Sequence, residues 1–313
     1  MHGIKVREFY KRKRREFDLA LLTEENVGLN KVISISDVNR CGIALSGYLE
    51  YFPYHRLQVL GNAEIFYLRT LSSYDIKKTL IKILEFNVPC LVISRNLEVP
   101  KELVDECNHA DVALIRTSMA TTQFMNEVNV YLEDVFAPSI GMHGVLVEVY
   151  GLGILITGKS GIGKSECALE LLKRGHQLVS DDLVTLKHKA GGILVGIAQE
   201  IVKHHMEIRG LGIFDIKMLF GMGSVLDKTI IQLVIELEEW DATKGYERLG
   251  FTDTYSNILG VNIPKITVPV KPGRNLGILI EIAAMNQALR NQGYNPVKEL
   301  NKKLIGYMKN KRK

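Results

Sequence analysis

The sequence predicts an α/β protein with two domains, a small parallel α/β domain at the N-terminus and a strand-rich domain with a phosphate-binding loop (P-loop) at the C-terminus. Three observations lead to this prediction. Short β-rich runs alternate with helical patterns over residues 30–133. Proline and glycine interrupt this pattern at 136–144. A G-x-x-x-x-G-K-[ST] motif lies within 154–175, between a strand pattern and a helix pattern. We therefore place the domains at residues 1–135 and 136–313.

The composition of the whole chain is that of an ordinary globular protein. Of the 313 residues, 46% are hydrophobic and 24% are charged. The longest apolar stretch, 144–158, contains Glu148 and several glycines, so it predicts no membrane span. The basic run at 11–15 continues into mixed, partly acidic sequence rather than into the apolar centre of a secretory signal. We therefore expect a cytoplasmic protein without a membrane partner.

The net charge of +5 is concentrated near the two ends of the chain. Such basic runs are usually solvated, which favours a solvated end over a nucleic-acid contact. The cysteines are scattered, without the short paired spacing of a zinc cluster or a disulfide framework. They are Cys41, Cys90, Cys107 and Cys167. We expect reduced cysteines that pack in the interior, and no nucleic-acid partner.

The N-terminal domain is predicted from two kinds of pattern. Its β-rich runs are KVISISDV at 31–38, VPCLVIS at 88–94 and ADVALIRT at 110–117. Its helical patterns lie at 72–86 and 120–135. The alternation of the two predicts a parallel sheet. The domain contains no G-x-G-x-x-G motif and no second phosphate loop, so we assign it no nucleotide-binding role.

The C-terminal domain is predicted to be rich in strands with one long helix behind the phosphate loop. The β-rich runs lie at 144–151, 152–158, 176–180, 230–237 and 265–270. The first two are separated by a glycine turn. A final helix is predicted from Leu276 to Gln292.

The phosphate loop joins a strand to a helix, which is the structural context that its chemistry requires. It consists of Gly158, Lys159, Ser160, Gly161, Ile162, Gly163, Lys164 and Ser165. Glycines let successive backbone N–H groups turn toward an anion at the positive end of a helix. Lys164 is then expected to reach the outer phosphates of a donor, and Ser165 to offer its hydroxyl to Mg²⁺.

Two adjacent carboxylates, Asp181 and Asp182, follow the predicted strand at 176–180. Because successive strand residues point to opposite sides, one carboxylate can address a metal and the other a different group. A pair of carboxylates favours a transferase that must also deprotonate an acceptor hydroxyl. The alternative interpretation is a pair of aspartates that cap a turn.

Five segments together resemble one family. They are GVLVEVYGLGILITGKSGIGKSE, GHQLVSDDLV, MEIRGLGIFDIKMLFG, WDATKGYERLG and PVKPGRNLGILIEIAAMN, which follow one another through residues 141–286. They resemble the bacterial HPr kinase/phosphorylase family, and MEIRGLGI is more specific to it than the phosphate loop. The resemblance implies a P-loop kinase fold and a homohexamer that senses carbon supply.

The resemblance also implies two reactions. In the first, ATP or pyrophosphate with Mg²⁺ phosphorylates a regulatory serine of HPr, the small phosphocarrier of the sugar phosphotransferase system. In the second, inorganic phosphate attacks the phosphoserine and releases HPr and pyrophosphate.

The resemblance assigns roles to residues at matching positions. Residues 158–165 would bind the nucleotide phosphates, with Ser165 and Glu207 on the metal. Asp182 would accept the proton in phosphorylation and return it in phosphorolysis, with Asp181 beside it near the metal. A serine hydroxyl is a poor nucleophile at neutral pH, so a positioned carboxylate contributes about 10²- to 10⁴-fold.

His143 and Arg248 match two further active-site positions of the family. Arg248 and Lys164 would stabilise the charge on the transferring phosphoryl group. One segment matches a stretch associated with the phosphorolytic direction. It consists of Pro269, Val270, Lys271, Pro272, Gly273 and Arg274. Lys159 and Lys271 depart from the Asp and Arg expected of the family, which leaves the preference between ATP and pyrophosphate open.

Two other functions fit the phosphate loop. One is a P-loop kinase of a small metabolite such as a sugar or a carboxylic acid, which would need an enclosed polar pocket near Asp182. The other is a nucleotide-gated regulatory binding protein with little catalysis, which would need one carboxylate beside the metal and no second.

Overall fold

The computed structural model describes residues 3–244, 254–296, 299, 302 and 303. The chain divides into two compact units, Met1–Ala137 and Pro138–Lys313. Both units combine helices with a central sheet, so the predicted α/β class is confirmed. Among the described residues, no helix combines the length and the apolar character needed to cross a membrane.

The N-terminal unit contains short strands and helices in alternation. They are β1 (Ile4–Lys5), α1 (Val6–Lys13), β2 (Leu19–Leu21), β3 (Val32–Ile33), β4 (Val38–Arg40), α2 (Gly42–Leu45), β5 (Leu57–Leu60), α3 (Asn62–Thr70), α4 (Ser73–Leu84), β6 (Cys90–Ile93), α5 (Lys101–His109), β7 (Ala113–Thr117) and α6 (Thr121–Phe136).

The main sheet of this unit has the strand order β2-β7-β6-β5-β4. Strands β4 to β7 are parallel, whereas β2 joins the edge in the antiparallel direction. The predicted parallel sheet is therefore present with one antiparallel edge strand added. One face packs against α2 to α5 and the other against α1 and α6.

The C-terminal unit contains the longer strands. Its elements are β8 (Ser139–His143), β9 (Val145–Val149), β10 (Leu152–Gly158), α7 (Lys164–Lys173), β11 (Gln177–Ser180), β12 (Leu183–Lys189), β13 (Ile193–Ala198), β14 (His205–Ile208), β15 (Gly212–Asp215), α8 (Ile216–Phe220), β16 (Lys228–Glu239), β17 (Thr254–Ile258), β18 (Val261–Val270) and α9 (Leu276–Asn291).

Strand β16 organises the C-terminal sheet, whose main path runs β11-β9-β10-β16-β13-β12-β8. Along one side β16 pairs in parallel with β10. Along the other side its first residues pair with β13 and its later residues pair in parallel with β18. The carboxyl ends of β10, β16 and β18 therefore meet at one edge, where ligands of α/β sheets commonly bind.

Successive side chains of β10 point to opposite faces of the sheet and pack into two apolar cores. Ile154 and Ile156 pack with α7 and α9 on one face, and Leu155 packs into the core on the other face. In α7, four residues at helical spacing are buried, and Gly175 takes a positive φ of 91° just after the helix. The predicted strand, loop, helix and helix stop are confirmed.

One strand prediction was wrong. The run at 31–38 does not form a single strand: it contains the two-residue β3, a bend at Ser36 and the first residue of β4, Val38, whose N–H donates to Asn129 Oδ1 (3.1 Å). The segment at 136–144, where the sequence predicts the domain boundary, contains the division between the two units and also β8, a strand that the sequence did not predict, which pairs with β12 at the sheet edge. Its mostly exposed side chains carry no hydrophobic alternation, so the pairing is not visible locally.

The cysteines are free and buried, as predicted. Burial raises the pKa of each thiol to about 12. A thiol with such a pKa stays protonated at neutral pH and is a poor nucleophile.

Candidate functional site

The phosphate loop leaves the end of β10 and enters α7 through Gly163, whose φ of 102° is left-handed. That conformation favours glycine, and it starts the helix directly after the turn. The Lys164 ammonium donates hydrogen bonds to the carbonyl oxygens of Gly158 (3.1 Å) and Lys159 (3.0 Å). The lysine therefore lies across the loop, at the positive end of α7 where an anion is stabilised.

Arg209 covers the tip of the phosphate loop. It follows β14, in the turn of the β14–β15 hairpin, and its Nη2 donates to Ser160 Oγ (2.8 Å). Its other terminal nitrogen, Nη1, would lie 2.8 Å from a Cβ built on Gly161. A Cβ at this position would therefore displace the guanidinium from the loop tip, and the φ of 81° at Gly161 also favours glycine. Sequence patterns assign Arg209 no role, although it lies in the MEIRG motif beside Glu207.

Ser165, Asp181 and Glu207 come together behind the loop. The Ser165 hydroxyl donates to Asp181 Oδ1 (2.9 Å), and the backbone N–H of Glu207 donates to Asp181 Oδ2 (3.2 Å). The Asp181 side chain is buried, and burial raises its pKa against the effect of these hydrogen bonds. A carboxylate destabilised by burial is a site where a nearby cation lowers the free energy of the charged form.

Asp182, unlike Asp181, is open to solvent. The N–H of Leu183 donates to the carbonyl of Asp181 (2.9 Å), which closes a three-residue turn centred on Asp182 with a φ of 68°. This turn type is rare and strained, and such strain concentrates at functional sites. It leaves the Asp182 side chain 85% exposed. The two carboxylates are thereby separated into one buried and one open group.

His143 lies beside Asp182, with 3.7 Å between His143 Nδ1 and Asp182 Oδ1. The pairing of β8 with β12 places His143 opposite Leu183, and the N–H of Gly144 donates to the carbonyl of Asp182 (3.0 Å). The strand that the sequence did not predict is therefore the element that brings the histidine to the carboxylate.

An open groove of about 720 Å³ adjoins the phosphate loop at the carboxyl edge of the sheet. Gly158 and Lys159 form its loop side, and residues 236–242 together with Lys244 form the other side. The latter carries several carboxylates, of which Glu236 pairs with Lys265 (2.9 Å) and Glu238 with Lys244 (2.5 Å).

The segment at 269–274 reaches the same edge. It begins in the last residues of β18 and turns before Asn275, whose side chain caps α9 by accepting from the N–H of Ile278 (2.8 Å). Lys271 and Arg274 lie against the ring of Trp240, which directly follows β16. Sequence patterns assign Trp240 no role. Two features could have drawn attention to it: it is the single tryptophan of the chain, and it lies in WDATKGYERLG, one of the segments that resemble the family.

The structure thus gathers the sequence-predicted residues into three neighbouring groups. The first is the phosphate loop with Ser165, Asp181 and Glu207; the second is His143 with Asp182; the third is the segment at 269–274. Arg248 lies outside the described residues. Within the part of the chain that the structure describes, no three acidic, histidine or cysteine side chains form a metal cluster.

Comparison with known proteins gives matches along nearly the whole chain. The family described as HPr Serine kinase N terminus matches residues 4–132, and the one described as HPr Serine kinase C-terminal domain matches 134–304. The HPr kinase/phosphorylase of Alkaliphilus metalliredigens is 47% identical over 90% of this chain and 91% of its own length. That of Geobacillus sp. is 45% identical over 92% and 93%.

A solved structure of the Hpr(Ser) kinase/phosphatase from Coxiella burnetii is 37% identical. It covers 50% of this chain and 94% of its own, with a TM-score of 0.46. The two family matches and the length of the alignments to the curated relatives lead to one conclusion: the chain belongs to the HPr kinase/phosphorylase family of enzymes.

Proposed function

We propose that the chain phosphorylates a regulatory serine of HPr with ATP or pyrophosphate and removes the phosphoryl group with inorganic phosphate. The observation that carries this proposal is the difference in exposure between the two adjacent aspartates. Asp181 is buried against Ser165, whereas Asp182 is 85% exposed. An open carboxylate beside a phosphate loop suits an acceptor hydroxyl presented by another protein better than one enclosed with a small metabolite.

In the kinase direction, Asp182 accepts the proton of the serine hydroxyl while the serine oxygen bonds to the terminal phosphorus of the donor. The bond from that phosphorus to the bridging oxygen breaks, and ADP or inorganic phosphate leaves. Lys164 lies where it can move from the loop carbonyls to the outer phosphates. Arg248 is proposed to share in stabilising the transferring group.

In the phosphorolytic direction, an oxygen of inorganic phosphate attacks the phosphoserine phosphorus, the bond to the serine oxygen breaks, and pyrophosphate forms. Asp182 returns its proton to the serine oxygen, because the same group must act in both directions. His143, whose Nδ1 lies 3.7 Å from Asp182 Oδ1, is proposed to orient the Asp182 carboxylate. The segment at 269–274 is proposed to serve the incoming phosphate.

The residues fit a requirement for Mg²⁺. Mg²⁺ sites in such enzymes use one or two carboxylates together with substrate phosphates and water, so a three-carboxylate cluster is not needed. Ser165, Asp181 and Glu207 would hold the ion, which would supply positive charge against the negative charge of the donor phosphates. The burial that raises the pKa of Asp181 supports this assignment, because a cation there would favour the ionised carboxylate.

The test is incubation of the purified chain with HPr, Mg²⁺ and labelled ATP or pyrophosphate, followed by mass analysis of HPr. We expect one added phosphoryl group, and its loss on addition of inorganic phosphate. HPr with the regulatory serine replaced by alanine and a Lys164→Ala enzyme are the controls. Transfer to a sugar or carboxylic acid instead, or nucleotide binding without transfer, would overturn the proposal. The cytoplasmic location and the homohexamer stay predictions.

A further inference from the structure

The single tryptophan of the chain ties the end of β16 to the segment at 269–274. Trp240 follows the last residue of β16, and its backbone N–H donates to the carbonyl oxygen of Val270 (3.2 Å). This is the last hydrogen bond of the parallel pairing of β16 with β18, in which Glu239 lies opposite Val270. The tryptophan therefore has a fixed backbone position relative to the segment that follows β18.

Two cations of that segment lie against the indole ring. Lys271 Nζ is 5.3 Å from the ring centroid and Arg274 Cζ is 5.9 Å from it. Both distances lie within the range at which the negative face of an aromatic ring attracts a cation, and tryptophan gives the strongest attraction. The ring offsets the mutual repulsion of the two charges. Arg274 is held further by a hydrogen bond from Nη1 to the carbonyl of Pro269 (3.3 Å).

The same tryptophan lines the groove beside the phosphate loop. In the sheet, Gly158 is level with Leu237, and Leu237 is level with Val268. The loop and the segment thus start two strands apart at the same sheet edge, roughly 10 Å from each other at the usual strand spacing. The described lining of the groove has four carboxylates, those of Glu236, Glu238, Glu239 and Asp241, against two lysines, so an entering anion would meet an excess of negative charge. Cations fixed at the rim would counter that repulsion.

We infer that Trp240 is a positioning residue for the phosphorolytic reaction: its ring holds Lys271 and Arg274 at the rim of the groove, where inorganic phosphate enters beside the phosphate loop. The inference rests on the proposed function and adds a residue to it. In the kinase direction no separate phosphate has to be placed there, so the tryptophan contributes mainly to the phosphate-dependent reaction.

The test compares Trp240→Ala with Trp240→Phe in both reactions. Trp240→Ala should raise the KM for inorganic phosphate about tenfold more than it raises the KM for ATP. Trp240→Phe keeps a ring for the cations and should retain most of the phosphate affinity. Equal losses in both directions would indicate a structural role and overturn the inference, as would an unchanged KM for phosphate.

A double-mutant cycle with Arg274→Ala separates positioning from a general effect. If the ring acts through the arginine, the double variant should lose little more phosphate affinity than Arg274→Ala alone. Additive losses would contradict the inference. Thermal unfolding of each variant checks that the domain still folds.

Tryptophan fluorescence gives a readout that does not need HPr. Titration of the wild-type chain with inorganic phosphate should change the Trp240 emission. Arg274→Ala should raise the phosphate concentration at the midpoint of that change about tenfold. A wild-type response that Arg274→Ala leaves unchanged would refute the coupling of ring and arginine. Failure of HPr phosphorylation by the wild type would instead refute the proposed function, while this titration would still decide the placement of the anion.

Discussion

At the scale of single residues, Asp181 and Asp182 differ in environment although they are adjacent in the chain. The strained turn at Asp182 directs one carboxylate inward to Ser165 and leaves the other beside His143 in solvent. The sequence allowed the pair to be singled out as chemically important. It could not give the direction of each side chain, because that depends on a backbone φ of 68° which a non-glycine residue rarely adopts.

We predict that Asp182→Asn lowers both phosphorylation and phosphorolysis by a comparable factor, on the order of 10² or more. The substitution keeps the shape of the side chain but removes its ability to accept and return a proton. Initial rates in both directions measure the effect.

Asp181→Asn is the matched variant for this prediction. It should instead raise the Mg²⁺ concentration needed for half-maximal rate, because it alters the carboxylate that accepts from Ser165. An Asp182→Asn enzyme that loses phosphorylation but keeps phosphorolysis would assign the proton to another group, with Asp181 and His143 the next candidates.

At the scale of elements, the β14–β15 hairpin acts as a cover for the phosphate loop through Arg209. The loop itself was predictable, because its glycines, lysine and serine follow one another in the sequence. The cover was not, since it depends on a contact between Ser160 and Arg209, 49 residues apart in the chain. Strand β8 was not predictable either, because it pairs with β12, which is distant in the chain, and no local hydrophobic pattern indicates that pairing.

We predict that Gly161→Ala raises the KM for ATP and pyrophosphate about tenfold, equivalent to ~1.4 kcal/mol. The added Cβ would lie 2.8 Å from Arg209 Nη1, so the guanidinium or the loop tip must move. Steady-state kinetics with each donor measure the change.

Gly260→Ala is the matched control for this prediction. Gly260 has the same φ of 81° as Gly161, but a Cβ there meets nothing within 4 Å. It should share the backbone strain and leave both KM values within about twofold. If the two alanine variants behave alike in donor binding, the contact with Arg209 does not shape the loop.

At the scale of the whole molecule, the C-terminal unit is held together behind the loop by an ionic group between α7, β11 and α9. Glu281 of α9 accepts from Arg174 (2.7 Å) and bonds to His176 (2.9 Å), and the ring of Tyr150 packs edge-on against the histidine. The hydrogen bond from Arg174, with that of His176, lowers the pKa of Glu281 from 4.5 to about 2. The final helix was predictable from its apolar pattern. The contacts of Glu281 with Arg174 and His176 were not, because Glu281 lies more than 100 positions away from both in the chain.

We predict that Glu281→Gln lowers the midpoint of thermal unfolding by roughly 5 °C at neutral pH. Because the pKa of Glu281 is lower in the folded state, its contribution to stability is present above pH 4.5 and is lost as the pH falls toward 2. The difference from wild type should therefore shrink over that window, which thermal melts at several pH values would measure.

Glu200→Gln is the control, because Glu200 is 87% exposed and lies 3.6 Å from its lysine partner, Lys203. Its removal should change the melting midpoint little at any pH. A Glu281→Gln deficit that stays constant between neutral pH and pH 2 would contradict the assignment to an ionised Glu281.

The outward face of α9 bears on assembly. Four apolar side chains at helical spacing, each at least 40% exposed, form a stripe along it. They are Ile278, Ile282, Met285 and Leu289. Such a stripe is typical of a helix that contacts a further surface, and a second copy of the chain is the occupant that the family resemblance implies.

We predict that Ile282→Lys lowers the mass of the assembly measured by light scattering at micromolar concentration. A lysine placed in the stripe would have to be desolvated in a subunit contact. Val130→Lys is the control: Val130 is a 67% exposed apolar residue on α6, and its replacement should leave the mass unchanged. A wild-type chain that is monomeric and fully active would contradict the oligomer.

The buried thiols make the chain its own reporter of local opening. Three cysteines lie in the N-terminal unit, and Cys167 alone lies in the C-terminal unit, in the helix directly behind the phosphate loop. Each is protected from a thiol reagent until its surroundings open, so the labelling rate at each position measures the free energy of that opening. Mass spectrometry of labelled peptides would thus measure local opening in each of the two units separately, in the wild-type protein and without any introduced probe.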